Sequence, residues 1–86
     1  MTDYYWAPTP EERDQLAALG FRQSPLSSTR WCRYSEGFNA VTAWVDVVRG
    51  GWKLTTFGED DGAIKHDTFG LDLVTMLTFA TVEGWL

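Results

Sequence analysis

Ala40-Val41-Thr42-Ala43-Trp44-Val45-Asp46-Val47-Val48-Arg49-Gly50-Gly51-Trp52-Lys53-Leu54-Thr55-Thr56-Phe57 is the stretch that decides the fold. Between residues 41 and 48 the side chains alternate: Val41, Ala43, Val45 and Val47 fall on one side, Thr42, Trp44, Asp46 and Val48 on the other. That period of two predicts a strand with one buried face, because successive Cβ atoms point to opposite sides of a sheet. Gly50-Gly51 predicts a tight hairpin turn, since glycine tolerates the positive φ such turns need. Residues 52–57 then return antiparallel. With Gly50-Gly51 as the two-residue loop, Val47 faces Leu54 and Val45 faces Thr56 on the core side. On the far side Val48 faces Lys53, Asp46 faces Thr55 and Trp44 faces Phe57.

Outward from this hairpin the punctuation is clear. Residues 1–8 read as an extended aromatic arm, with Tyr4, Tyr5 and Trp6. Thr9 predicts a helix N-cap, Pro10 suits the first helical position, and Glu12 completes a capping box. Leu16 and Leu19 supply the apolar side of that helix, Gly20 its left-handed stop, and Phe21 the residue that packs back on Leu16. Residues 22–28 read as a loop, and Arg30-Trp31-Cys32-Arg33-Tyr34 as a first strand. Beyond the hairpin, Glu59-Asp60-Asp61-Gly62 reads as a second turn and residues 63–67 as a short fourth strand. A closing helix is predicted from Phe69 to about Val82, with Phe69, Leu73, Met76, Leu77 and Ala80 on one face. Thr75, Thr78 and Thr81 mark the opposite stripe, and Trp85-Leu86 is apolar enough to dock.

The expected fold is α+β, a single domain over 1–86: an antiparallel meander of three or four strands, with an N-terminal and a C-terminal helix on one face. The other face is left for water or a partner.

Composition narrows the function. Eighty-six residues with 44% apolar and 15% aromatic content form one globular core, burying roughly 60–65% of the extended chain's surface. The net charge is −5, and the only lysines are Lys53 and Lys65. Phosphate-binding surfaces cluster Lys and Arg, so direct nucleic-acid binding is disfavoured. A lone cysteine, Cys32, excludes an internal disulfide. No basic-then-apolar leader opens the chain and no apolar run approaches a membrane span, so a cytoplasmic protein away from the membrane is expected.

Catalytic signatures are lacking. His66 and Asp67 are adjacent in a strand and point apart, and no nucleophile motif surrounds Cys32, which reads as a buried structural thiol. The acids at 59–61 lack the alternating ligands of a calcium loop. Gly50-Gly51 joins two strands, unlike a phosphate-binding loop. No catalytic, cofactor or metal residues are assigned, and a non-enzyme is expected.

The outer sheet face is the feature left over. Trp44 and Phe57, joined by Tyr34 or Trp31, with Asp46 and Lys53 beside them, have the make-up of a protein-binding hot spot. Alternatively the N-terminal arm folds over this face and closes a second small core. The site expected for a protein partner is Trp44, Phe57, Asp46, Glu59, Asp60 and Asp61.

In element order the chain resembles double-stranded-RNA-binding domains, but its closing helix opens with Phe69-Gly70-Leu71-Asp72 and lacks their basic cluster, so that function is not carried over. Taken together, the helix ending Leu19-Gly20-Phe21, the W-x-R-Y strand at Trp31–Tyr34, the Gly-Gly-Trp hairpin and the apolar closing helix resemble small acidic accessory proteins of bacteriophages and mobile elements, anti-CRISPR proteins among them. That resemblance implies a stoichiometric inhibitor without catalysis that occludes a surface of a host nuclease or its effector complex. The acidic charge of the chain makes the expected surface a basic one, on a host protein or ribonucleoprotein complex. The alternative is a structural or assembly domain that self-associates into a homodimer.

Overall fold

Thr9 opens the first helix by accepting the backbone N–H of Glu12 at 3.2 Å, while Glu12 Oε1 accepts that of Thr9 at 2.9 Å. This reciprocal capping box starts α1, Pro10–Ala18. Such a cap contributes about 1 kcal/mol. Thr9→Ala is therefore expected to lower the melting temperature by roughly 4–8 °C, read by circular dichroism. Gly20, at φ 91°, ends the helix in the left-handed conformation that costs glycine nothing.

The structure, a computed structural model, describes residues 8–27, 29–35, 40–58 and 62–86. The N-terminal arm up to residue 7 and the acids Glu59, Asp60 and Asp61 lie outside the described residues. After α1 come β1 (Phe21–Gln23), β2 (Arg30–Tyr34), β3 (Val41–Val48), β4 (Gly51–Phe57), β5 (Ile64–Gly70) and α2 (Leu73–Val82). The strands form one antiparallel sheet in sequential order, β1 to β5. The α+β class and the placement of the helices are as the sequence predicts. The sheet is larger, with five strands.

The additions and shifts have physical reasons. β1 joins Phe21, expected to pack back at the helix stop, to Arg22 and Gln23 of what reads as a loop, and Phe21 is anchored in the core opposite Arg33. The hairpin loop is Arg49-Gly50, not Gly50-Gly51: Val48 pairs with Gly51, Val47 with Trp52, Val45 with Leu54 and Trp44 with Thr55. Only Gly50 has positive φ, at 84°, the sign pattern of a type II turn. Gly51 is glycine for a different reason. A Cβ there would sit 2.5 Å from the Gly70 carbonyl oxygen. Because the register slips by two residues, the side chains from Ala43 to Val48 keep their predicted faces.

Two bulges interrupt the ladders at the far end of the sheet. Arg33 pairs with Ala43 but Tyr34 with Val41, which leaves Thr42 as the extra residue on β3. Thr56 pairs with His66 but Phe57 with Ile64, which leaves Lys65 extra on β5. Val41, expected on the core side, is moved out of the Ala43–Val45–Val47 row and is not among the residues packed on the core.

β5 continues to Gly70, so Phe69 lies on the sheet and not on the closing helix. Its side chain is 53% exposed. The helix starts later because Asp72 caps it, accepting the Thr75 backbone N–H at 2.9 Å and its hydroxyl at 2.8 Å. These bonds hold the Asp72 carboxyl below the usual carboxylate range. A carboxyl whose pKa falls on folding adds stability above its unfolded pKa and loses it as pH drops through the folded value. Melting temperature is thus expected to fall as pH drops below about 4, and Asp72→Asn to flatten that fall in acid melting curves.

One core joins the layers. Leu16, Phe21, Ala43, Val45, Trp52, Leu54, Leu73, Met76, Leu77 and Ala80 are buried together, with Leu19, Trp31, Val47, Trp85 and Leu86 packed around them. Both helices therefore cover the Val45 face. At the end of α2, Gly84 N–H donates to Thr81 O at 3.1 Å and Trp85 N–H to Ala80 O at 2.9 Å, a Schellman stop. It turns Trp85 back, where its ring stacks on His66 at 4.3 Å and meets Phe79 edge-on at 5.3 Å.

Candidate protein-docking face

Cross-strand pairing settles which side chains share the face opposite the helices. Arg22 pairs with Cys32, Cys32 with Trp44, Trp44 with Thr55 and Thr55 with Asp67. A parallel row runs Arg30, Asp46, Lys53 and Phe69. Partners directly opposite in an antiparallel pair lie on one face, so these residues form the outer face. None of them belongs to the buried helix-side core cluster.

Trp44 sits at the centre of an ordered cluster. The Arg30 guanidinium lies 3.8 Å over its ring. Arg30 Nη2 reaches Asp46 Oδ2 at 2.9 Å, and Thr29 Oγ1 donates to Asp46 Oδ1 at 3.1 Å. Phe57 meets Trp44 edge-on at 5.1 Å, although Thr55, not Phe57, is its direct cross-strand partner. Lys53 and Asp67 make a second ion pair at 3.6 Å, steadied by Thr55 Oγ1 donating to Asp67 at 3.3 Å. Part-exposed pairs of this kind stabilise by less than about 1 kcal/mol each. The larger effect of the Arg30–Asp46 pair is to hold the guanidinium over Trp44.

The bulges enlarge the apolar part of this face. By shifting register they set Val41 opposite Tyr34 and Ile64 opposite Phe57. Tyr34 and Ile64 are 42% and 62% exposed. Two residues before Tyr34 on β2 is the buried Cys32 thiol. It raises the Tyr34 pKa above the usual phenol range, chiefly by charge repulsion, with desolvation and a mutual hydrogen bond adding and Arg22 opposing.

The predicted site residues fare differently. Trp44 and Phe57 are brought into contact on the outer face. Asp46 is there too, but its carboxylate is taken up by Arg30 and Thr29, so it is not free to meet a basic partner. Ile64 and Phe69 were missed: the first because a bulge cannot be read from alternation, the second because it matched the helical spacing of the next segment. The signal for Phe69 was Asp72, a capping residue three positions later.

Groups with chemical potential are kept apart. Cys32 is on the outer face and His66 on the inner one, where Nδ1 lies 3.1 Å from Thr56 Oγ1. A cleft of about 770 Å³ opens at the bulged end, lined by Arg33, Thr42, Thr56, Lys65, Trp85 and Leu86 among others, and includes neither Cys32 nor His66. Among the described residues no group of three His, Cys, Asp or Glu is placed to hold a metal ion, and no helix is long and apolar enough to cross a membrane.

The arrangement defines a class by geometry: an open antiparallel sheet, helices on one side, and an aromatic cluster framed by ion pairs on the other. Comparison with protein-family models, curated proteins and solved structures gives no match.

Proposed function

We propose that the chain is a non-catalytic protein-binding module that docks through its outer sheet face. The observation that carries this reading is the oriented Trp44–Phe57 pair on the face opposite both helices, beside the adjoining Arg30–Asp46 and Lys53–Asp67 ion pairs. A central aromatic anchor within a polar rim is the energetic pattern of protein interfaces. Tyr34, Ile64 and Phe69 extend the apolar area.

The wider reading is a phage-type inhibitor, of the anti-CRISPR kind, that acts in the cytoplasm by occluding a basic surface of a host defence or nucleic-acid-handling complex. Its support is the net charge of −5 and the acids Glu59, Asp60 and Asp61, which follow Phe57 and Gly58 in the sequence connecting β4 to β5. With Asp46 neutralised, this connection supplies the charge and the sheet the apolar anchors.

The test is capture of the partner from bacterial extract at low salt. Trp44→Ala with Phe57→Ala is expected to weaken retention by about 30-fold or more, with melting temperature followed as a control. Asp60→Lys with Asp61→Lys is expected to remove most of the salt dependence. Retention of the same partner by both double variants would refute the docking face.

A further inference from the structure

We infer that, before meeting its partner, the chain pairs with a second copy of itself through this same outer face, so that self-association and partner docking compete for Trp44 and Phe57. The inference rests on the docking reading for its second half only.

Charge distribution is the first argument. The outer face carries Arg22, Arg30 and Lys53 against Asp46 and Asp67, a balance of +1 in a chain of net −5, which leaves −6 for the remainder. Two copies approaching helix side to helix side bring Glu11, Glu12, Asp14, Asp72 and Glu83 together with only Arg13 to offset them on the helices and their caps. The strand residues of the outer faces, with the acids of the β4–β5 connection left out of the count, meet without that repulsion. On each, both carboxylates are already matched by a cation.

Apolar exposure is the second. Tyr34, Ile64 and Phe69 are each two-fifths or more exposed, and they lie on β2 and β5, either side of Trp44 and Phe57. An apolar band crossing several strands suits face-to-face packing of two open sheets, which lie about 10 Å apart with strands offset by about 30°. A two-fold axis makes such a contact self-complementary.

Size sets the strength. Strands about 4.8 Å apart with about 3.3 Å per residue give this sheet roughly 500 Å² of face. A pair then buries about 1,000 Å², the lower end for a specific interface. The dimer is therefore weak and dissociates on dilution.

Sedimentation equilibrium on the full chain, from about 1 μM to about 1 mM, brackets this range. The wild type is expected to pass from 9.8 kDa to twice that mass. Ile64→Asp, at an exposed position, is expected to weaken association about tenfold or more with an unchanged melt. Val82→Asp, 78% exposed on α2, is expected to leave it unchanged. A chain still monomeric at about 1 mM overturns the inference, whether residues 1–7 or only a foreign protein then cover the face. Dimerisation abolished by Val82→Asp but not Ile64→Asp overturns it equally, in favour of the helix side. Partner capture separates the two claims: a monomer that captures through Trp44 keeps the docking reading and loses this one, and a dimer that captures nothing does the reverse.

Discussion

Trp52→Ala is expected to remove a large share of the stability of the fold, about 3–5 kcal/mol. Trp52 is 2% exposed and joins β4 to the helix-side core. Among the described residues it is the largest of the fully buried side chains. Removing a buried indole costs about 3–5 kcal/mol, because lost burial adds to the energy of the cavity left behind. A domain of this length has about 4–13 kcal/mol in total. Urea denaturation followed by circular dichroism measures the loss. The same substitution at Trp44 is expected to cost clearly less, since that ring is only half-buried and lies against Arg30 and Phe57 on the outer face. Equal losses at the two positions would mean that both faces of the sheet are core.

Gly51→Ala is expected to cost toward the upper end of the range of about 1–3 kcal/mol for forcing atoms into packed space. The added methyl would lie 2.5 Å from the Gly70 carbonyl oxygen and 3.0 Å from the Phe69 ring. A backbone atom cannot turn aside as a side chain can, so β4 and β5 must part. Gly50→Ala meets nothing within 4 Å and strains only its positive φ, at about 1–2 kcal/mol. The order of the two losses, read from urea midpoints, is the result that matters. A larger loss at Gly50 would place the turn back at Gly50-Gly51 and contradict the observed register.

That comparison also shows where sequence reading runs out. Alternation from Ala43 to Val48 fixes the parity of β3, and parity survives a register slip of two, so the faces were legible although the pairs were not. Adjacent glycines carry two different demands, positive φ at Gly50 and close approach at Gly51, and the letters are the same. The capping box at Thr9 and Glu12 was legible because its donors and acceptors are local. β1 was not, because a three-residue strand owes its form to the anchoring of Phe21 in a core assembled from distant segments. Of the docking face, Trp44 and Phe57 follow from parity alone. The capture of Asp46 by Arg30 needed the register between β2 and β3, which no turn residue specifies.

The most direct measurement is a partner titration of the isotope-labelled chain that follows its tryptophan indole N–H resonances. Trp44 reports the outer face, whereas Trp52 and Trp85 report the helix side. If the outer sheet is the docking surface, the Trp44 resonance moves and the Trp52 and Trp85 resonances hold still. Movement of Trp85 with Trp44 unmoved would contradict it.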